Sequence, residues 1–288
     1  MLLHTELQVF MLIFLAYREL ASPILKMSII LCTKSQNYPM KRSISDNARK
    51  VYLKRAAVCI VSGGLDSICT AAYVSRIKNF DIYMINFSYG QRATTNESSV
   101  AKKFATRLGA KDYRFVDINF MKDLYSRTNA LTDETSELPS SFRHNIVVPI
   151  RNAIFITIAT AWALSIGAKM VCYGAHIGDH HYPDCRPVFV RSISKSLTLA
   201  DLDSIKEKSR KKVRIWCPAI SGIDKSGLLK MGFQILGDTI FKTWSCYSNG
   251  VKRRGETQNR HCGVCESCIN RKNAFKKTGI EDMTPYEI

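Results

Sequence analysis

The sequence has little glycine and proline, and it has no uninterrupted apolar run of membrane-spanning length. Its 288 residues include 15 Gly and 8 Pro, too few for a fibrous or linker-like chain. A membrane span needs roughly 18–20 apolar residues in a row, and the nearest run, residues 9–17, is bounded by Glu6 and Arg18. No Lys or Arg precedes that run, although a signal peptide would carry one. We therefore expect a cytoplasmic protein with no membrane partner.

Acidic residues are scarce compared with basic ones. There are 24 Asp and Glu against 42 Lys and Arg, giving a formal net charge of +18. Such a surplus favours a polyanionic partner such as a nucleotide, a nucleic acid or a membrane surface. The hydrophobic share of 46% and the charged share of 23% are those of a globular protein, which excludes wholesale disorder.

The ten cysteines are too few for a disulfide scaffold in a chain of this length. Six are scattered, several within apolar runs, where a free cysteine behaves as a small hydrophobic residue. The other four crowd into the last fifth of the chain: Cys246, Cys262, Cys265 and Cys268. This grouping predicts a metal site in a reducing compartment.

Short apolar segments alternate with helical ones after residue 55. We predict strands at residues 57–61, 81–87, 112–118, 169–173 and 213–217, and helices at residues 68–78, 97–108 and 152–166, the last buried on nearly every face. Almost wholly apolar strands separated by helices favour a parallel sheet covered on both faces. The predicted fold class is therefore a doubly wound α/β domain.

The loop Ser62-Gly63-Gly64-Leu65-Asp66-Ser67 lies between the first predicted strand and helix. Two glycines allow a sharp turn that brings backbone N–H groups to a ligand, and the following helix adds free N–H donors and the positive end of its dipole. The alternative is a strand–helix turn with Ser and Asp as caps. No Gly-Lys-Ser/Thr ending follows, so the loop is not that of a kinase or GTPase.

The terminal cysteines have the spacing of a metal site. Cys262, Cys265 and Cys268 form a C-x2-C-x2-C run, and Cys246 lies sixteen residues upstream. Four thiolates suit a closed, structural Zn²⁺ site. The same run occurs in iron–sulfur proteins, so spacing alone does not decide the metal. His261 is an alternative fourth ligand, although we favour Cys246.

Residues from about 57 to 282 resemble the QueC family of PP-loop ATP pyrophosphatases. The shared stretches are residues 62–67, Ser88-Tyr-Gly-Gln-Arg, Val148-Pro-Ile-Arg-Asn, Gly174 to Asp179, Tyr182-Pro-Asp-Cys-Arg, Thr243-Trp-Ser-Cys-Tyr and the terminal Cys-Gly-X-Cys-X-Ser-Cys-X-X-Arg. The resemblance implies a PP-loop α/β domain at 56–240 and a zinc-binding region at 241–288 packed on it. Residues 1–55 form a basic extension that is atypical of the family, with nine Lys and Arg against three Asp and Glu. We favour a disordered extension or an over-long gene start over a regulatory or targeting arm.

The resemblance also implies a reaction and its participants. The family converts 7-carboxy-7-deazaguanine and ammonia to 7-cyano-7-deazaguanine through adenylated intermediates, with ATP, Mg²⁺ and Zn²⁺. It requires no nucleic acid, and it tends to form homodimers. The loop residues 62–67 would then bind ATP, with Asp66 holding the Mg²⁺–pyrophosphate.

Further residues are candidates for the same site. Those assigned to catalysis are Asp66, Ser67, Arg151 and Lys225. Those assigned to ATP, besides the loop, are Gln91, Arg92 and Asn152. Those assigned to the substrate are Asp179, Asp184 and Arg186, whose groups suit guanine N–H donors and a carboxylate. We interpret His176, His180 and His181 as loop histidines without a metal.

One position departs from the family pattern. The family usually carries histidine directly after the Gln-Arg pair, where this chain has Ala93. This loss predicts weak activity that a restored histidine would raise. Two alternatives stay open: a divergent PP-loop adenylating enzyme acting on another base, tRNA or protein, and a zinc-knuckle nucleic-acid-binding module.

Overall fold

A computed structural model describes residues 55–125, 128–251 and 259–288. These described residues belong to one compact unit. The predicted N-terminal extension, apart from Arg55, lies outside the described residues.

Five strands and eight α-helices make up the described chain. The strands are β1 (Ala56–Ile60), β2 (Asp81–Ser88), β3 (Tyr113–Asp117), β4 (Met170–Cys172) and β5 (Arg214–Trp216). The helices are α1 (Leu65–Arg76), α2 (Thr94–Leu108), α3 (Phe120–Tyr125), α4 (Arg151–Ser165), α5 (Pro187–Ala200), α6 (Leu202–Lys206), α7 (Lys225–Leu236) and α8 (Glu266–Thr278). All five predicted strands are present, within about two residues of their predicted bounds.

The sheet is parallel throughout, in the order β3-β2-β1-β4-β5. From the central strand β1, the chain adds β2 and β3 on one side and later β4 and β5 on the other. The strand order therefore reverses between β1 and β4. In open parallel sheets a ligand crevice forms at this reversal, beyond the carboxyl ends of the strands. The predicted doubly wound α/β class is confirmed.

Alternate residues of β1 face opposite sides of the sheet and belong to two hydrophobic cores. Ala56 and Val58 pack in one core with residues of α4 and α5. Ala57 and Cys59 pack in the other with residues of α1, α2, α7 and α8. This two-sided burial explains why the strands are almost wholly apolar.

Helix α4 is less buried than its composition suggests. Phe155, Ile156 and Trp162 are buried against the sheet, whereas Thr157 and Ala161 are exposed. The prediction of burial on nearly every face was therefore wrong, because the helix covers one face of the sheet and its outer side carries small residues.

Within the described residues, the segment His144–Ser165 has the length and composition of a membrane span, with a mean hydropathy of 1.6. Its α-helix α4 has 15 residues, about 22 Å at 1.5 Å per residue. That is shorter than the roughly 30 Å apolar layer of a bilayer, and one side packs on β1 and β4. We therefore assign it as a core helix of the domain.

Candidate nucleotide site and four-cysteine cluster

A cavity of about 260 Å³ lies at the carboxyl ends of the strands, next to the reversal between β1 and β4. Its walls come from the loop after β1, the ends of β2 and β4, and the starts of α4, α7 and α8. The sequence-predicted residues that line it are Ser62, Gly64, Leu65, Asp66, Ser67, Gln91, Arg151, Asn152, Asp179 and Lys225. Tertiary structure thus brings together groups spread over more than half of the chain.

The loop between β1 and α1 is fixed by its own hydroxyl groups. The Ser62 N–H and the Gly64 N–H donate to Ser67 Oγ and Ser62 Oγ, each at 3.2 Å, and Ser67 Oγ donates to the Gly64 carbonyl at 3.1 Å. Gly64 is the N-cap residue of α1, and no side chain of the described residues caps this end. Its free N–H donors therefore face a site suited to an anion.

Two glycines allow close backbone approaches around this loop. Gly63 has φ +84°, and a Cβ there would lie 2.5 Å from the Glu97 backbone oxygen of α2. At Gly174, which follows β4, a Cβ would lie 2.8 Å from the Ser67 backbone nitrogen. Any larger residue would push α2 or the loop after β4 away from the phosphate loop.

Lys225 and Asp66 form an ion pair inside the cavity. Lys225 Nζ donates to Asp66 Oδ2 at 2.7 Å. Burial by itself would raise the pKa of Asp66, but Lys225 and His176 outweigh it and the pKa is lowered. Burial lowers the pKa of Lys225, but the carboxylates of Asp66 and Asp179 overcome this and raise it. Both groups are therefore charged at neutral pH.

His176 lies between the two carboxylates of the cavity edge. Its Nε2 is 3.9 Å from Asp66 Oδ1 and 3.5 Å from Asp179 Oδ1. The side chain is buried, and neither ring nitrogen has a hydrogen-bond partner among the described residues. Burial raises the pKa of Asp179. The interpretation of His176 as an ordinary loop histidine misses this contact with the phosphate-loop carboxylate.

Asp184 supports the start of α4 instead of facing the cavity. Its carboxylate accepts from the Asn152 N–H and from Asn152 Nδ2, both at 3.0 Å. It satisfies a free donor of the first helical turn, which is the capping role. Arg151 Nη1, in turn, donates to the Tyr89 hydroxyl at 3.0 Å. Arg151 and Asn152 line the cavity, and Asp184 does not.

Two predicted arginines do not reach the cavity. Arg92 Nη1 donates to the Ser136 carbonyl at 2.7 Å, and the exposed Arg186 donates through Nε to the His180 carbonyl at 2.9 Å. Neither lines the cavity, so the structure does not support the ATP role predicted for Arg92 or the substrate role predicted for Arg186. Both side chains are used to hold loop carbonyls.

The four predicted metal ligands meet at one point. The sulfur atoms of Cys246, Cys262, Cys265 and Cys268 all lie within 4.8 Å of one another, and Cys262 Sγ is 3.9 Å from Cys268 Sγ. Their hydrogen bonds, chiefly the one with Cys246, lower the pKa of Cys262. His261 stays outside this group and packs edge-on against Trp244 at 4.2 Å between ring centroids.

The cysteine cluster is joined directly to the phosphate loop. The Trp244 N–H donates to the Gly63 carbonyl at 2.8 Å, and Trp244 packs with the cluster cysteines. The helix that begins after Cys265 contributes Glu266, whose Oε2 accepts from the Tyr247 hydroxyl at 2.6 Å. Both Glu266 and Tyr247 line the cavity. A metal bound by the thiolates would therefore hold one wall of the site.

Ala93 belongs to the cysteine cluster, not to the cavity. It is 2% exposed and packs with Trp244, Cys246, Cys265 and Cys268. Ala93 is not among the residues that line the cavity, although its neighbour Trp244 is. The gain in activity expected from a restored histidine stays a prediction.

Sequence reasoning missed several residues that line the cavity. These are Tyr89, Glu97, Tyr182, Tyr247 and Glu266. Tyr89 follows β2 and lies inside the quoted Ser-Tyr-Gly-Gln-Arg stretch, which was a usable signal. Glu97 and Glu266 each lie in the first turn of a helix, where an acidic residue usually serves the helix dipole, so nothing in their local sequence marks them.

The strand order, the uncapped glycine loop and the cluster of thiols define a nucleotide-binding α/β protein of the PP-loop class with a metal-binding cysteine site. Residues 56–279 match the family model described as "Queuosine biosynthesis protein QueC", and the chain belongs to this family. A 7-cyano-7-deazaguanine synthase of Caldicellulosiruptor bescii is 36% identical over 238 residues, which cover 81% of this chain and 97% of that protein.

A second relative is a 7-cyano-7-deazaguanine synthase of Methanococcus maripaludis. It is 34% identical over 240 residues, covering 80% of this chain and 98% of that protein. Among solved structures, the U34-tRNA thiolase NcsA of the same species matches with a TM-score of 0.36 and 16% identity over 63% of this chain and 57% of that chain. A TM-score this low carries no argument about fold or function.

Proposed function

We propose that this protein is a 7-cyano-7-deazaguanine synthase, which converts 7-carboxy-7-deazaguanine, ammonia and ATP into the nitrile. The observation that carries the proposal is the cavity at the end of β1. The phosphate loop, the Lys225–Asp66 pair and Arg151 all line this cavity. This chain aligns with nearly the whole length of relatives that are named for this activity.

The cavity supplies the electrostatics that adenylation needs. Attack of the substrate carboxylate on the α-phosphate of ATP concentrates negative charge, and fixed donors around that charge lower the barrier. The N–H groups of the uncapped start of α1 and the charged Lys225 provide such donors. Arg151, held by Tyr89 on the opposite wall, provides a second cation for the substrate carboxylate or the phosphates.

The residues present fit a divalent cation beside the pyrophosphate. Asp66 is ionised and sits in the phosphate loop, and Asp179 lies across from it on the other side of His176. A carboxylate together with phosphate oxygens is a common coordination for Mg²⁺. Bound there, Mg²⁺ would neutralise charge on the leaving pyrophosphate, with Asp66 as a ligand of the cation and Lys225 as a donor to the phosphates.

The cysteine cluster fits a single zinc ion. A tetrahedral site with Zn–S distances of about 2.3 Å places its sulfur atoms roughly 3.8 Å apart, close to the 3.9 Å between Cys262 and Cys268. In a [4Fe–4S] cluster each of the four cysteines binds a different iron, which holds the sulfurs farther apart. Four protein ligands leave no open position, so the ion would be structural and would support the wall formed by Tyr247 and Glu266.

The decisive experiment is a product assay with the purified full chain. We expect incubation with 7-carboxy-7-deazaguanine, ATP, Mg²⁺ and ammonium to give 7-cyano-7-deazaguanine, AMP and pyrophosphate, identified by mass spectrometry. Omitting ammonium should stop nitrile formation but preserve substrate-dependent exchange of pyrophosphate into ATP. If exchange requires a different carboxylate or an RNA, the protein is a PP-loop adenylating enzyme with another substrate.

A further inference from the structure

The Glu97 carboxyl lies in the cavity, and the adenylation step proposed above does not use it. It belongs to the first turn of α2, whose backbone abuts Gly63 of the phosphate loop. Gln91 Nε2 donates to Glu97 Oε2 at 2.8 Å. A carboxylate offers about four lone-pair directions, so this one bond leaves room for a cationic donor in the cavity.

Gln91 is itself fixed, which fixes the direction of the Glu97 carboxyl. Gln91 Oε1 accepts from the Tyr89 N–H at 2.8 Å, and its Nε2 also donates to the Phe87 carbonyl at 3.1 Å. The amide of Gln91, a predicted nucleotide ligand, is therefore bonded to the backbone at the end of β2 and directly after it. Its contacts identify it as a positioning residue for Glu97.

The surroundings of Glu97 make it able to exchange a proton near neutral pH. Burial raises the pKa of Glu97 to about 7, against the opposing effects of the Gln91 hydrogen bond and the Arg151 charge. Arg151 is the charged group that faces it, and the neutral Tyr89 hydroxyl lies between Arg151 and the end of β2. A group with a pKa near the working pH is the most effective general base.

The proposed reaction needs such a base at two points. At neutral pH ammonia is present mainly as ammonium, which has no lone pair for attack. In amide formation a C–N bond forms, the C–O bond to AMP breaks with its electrons leaving on AMP, and the nitrogen of ammonium gives up two protons. When the adenylated amide loses AMP to give the nitrile, the nitrogen gives up its two remaining protons.

We propose that the Glu97 carboxylate binds ammonium in the cavity and removes one of its protons, which frees the nitrogen lone pair to attack the adenylated carboxyl. Ammonium would lie against Glu97 with the Gln91 amide behind it, on the wall next to the phosphate loop. The released protons pass through Glu97 to solvent. This assignment rests on the proposed function, because ammonia is the nucleophile of that reaction.

The test separates adenylation from the attack of ammonia by means of the Glu97→Gln variant. We expect its substrate-dependent ATP–pyrophosphate exchange, measured without ammonium, to stay within about threefold of the unmodified protein. Its rate of amide and nitrile formation should fall by about 10²–10⁴-fold, the usual contribution of a general base. Since burial disfavours an ionised carboxylate at this position, the neutral amide should leave the thermal unfolding temperature unchanged or raised.

Two further measurements distinguish a base from a structural residue. The unmodified protein's rate should rise as pH increases through about 7, whereas the variant's rate should follow the fraction of free ammonia. Hydroxylamine, which is uncharged at neutral pH, should reduce the variant's deficit at least tenfold. Glu207→Gln is the matched control, because Glu207 is exposed, and it should leave both activities unchanged.

The alternative outcomes each overturn a specific statement. Loss of pyrophosphate exchange in Glu97→Gln would make Glu97 part of the adenylation site and reject its role with ammonium. Normal nitrile formation in the variant would reject it as a base. Absence of exchange with 7-carboxy-7-deazaguanine in the unmodified protein would reject the proposed function, and the assignment of Glu97 would fall with it.

Discussion

Asp66 places an ionised carboxylate directly in the candidate phosphate loop. Its carboxylate is ionised, pairs with Lys225 at 2.7 Å and is near His176. This combination keeps a negative charge beside the phosphate loop. Because that charge repels phosphate, it can contribute to binding only through a cation. Its role is therefore electrostatic, and side-chain size contributes little.

We expect Asp66→Asn to lower turnover by about 10²–10³-fold, the range seen when one group that stabilises transition-state charge is removed. The substitution keeps the shape of the side chain, so the unfolding temperature should change little. Steady-state release of pyrophosphate measures the effect. Asp238→Asn, on an exposed carboxylate, is the matched control, and equal rates for both variants would remove Asp66 from the site.

Ile150 carries backbone strain directly before Arg151. It has φ 51° and ψ 17°, in the left-handed region, although it is β-branched and its side chain is 67% exposed. This conformation costs an L-residue roughly 1–2 kcal/mol. The exposed side chain of Ile150 gains no burial that would offset this cost. The strain turns the chain into α4 so that Arg151 and Asn152 face the cavity.

Ile150→Gly should raise the free energy of unfolding by about 0.5–1 kcal/mol, after allowing for the greater entropy of glycine in the unfolded chain. Denaturant titration measures the change. The matched control is Ile77→Gly, since Ile77 is 61% exposed but has an ordinary φ of −92°, and it should lose stability. A loss in both variants would show that Ile150 is not strained.

At the scale of elements, α8 joins the cysteine cluster to the α/β domain through a buried arginine. Arg271 is fully buried, and its guanidinium donates to Thr243 Oγ1 at 2.7 Å, to Thr284 Oγ1 at 3.0 Å and to Ser245 Oγ at 3.1 Å. These acceptors are neutral, and the hydrogen bonds compensate in part for burying the charge. Burial lowers the pKa of Arg271, and the negative charges of Asp282 and Asp66 oppose that effect. The hydrogen bonds fix the segment that carries Trp244 and Cys246.

Arg271→Met should destabilise the protein by about 3 kcal/mol or more, because it leaves several buried acceptors without their donor. Chemical denaturation followed by tryptophan fluorescence would measure it. Lys276→Met, an exposed position on the same helix, should change stability by less than about 0.5 kcal/mol. If the two variants were equally stable, the arginine network would not hold the segment.

At the scale of the whole molecule, the cysteine cluster and the candidate nucleotide site are joined by direct contacts. The Trp244–Gly63 backbone hydrogen bond links the cluster to the phosphate loop, and α8 brings Glu266 into the cavity. Since closed metal sites contribute folding free energy, loss of the ion should disturb a wall of the cavity as well as the cluster.

We expect Cys265→Ser to lose the bound metal, to unfold at lower temperature and to bind ATP at least tenfold more weakly. Elemental analysis, thermal melts and ATP titration measure these three effects, with one equivalent of zinc expected in the unmodified protein. Cys217→Ala, a buried cysteine outside the cluster, should keep the metal. Iron in the unmodified protein, or full ATP affinity without metal, would contradict this account.

The sequence alone determined the features that lie within short segments. The five strands, the phosphate loop and the C-x2-C-x2-C run each occupy a short contiguous segment. They can be predicted from the sequence because strand propensity, glycine turns and ligand spacing act over a few positions. The resemblance of residues 62–67 and of the cysteine run was therefore enough for the fold class, the family and the four cysteines that meet in the structure.

Only the tertiary structure decided which way single side chains face. Glu97 and Glu266 look like ordinary first-turn acids in the sequence, yet both line the cavity in the folded chain. The fold also buries Ala93 in the cysteine cluster and leaves Arg186 outside the cavity. These outcomes depend on contacts between segments far apart in the chain, which no local pattern contains.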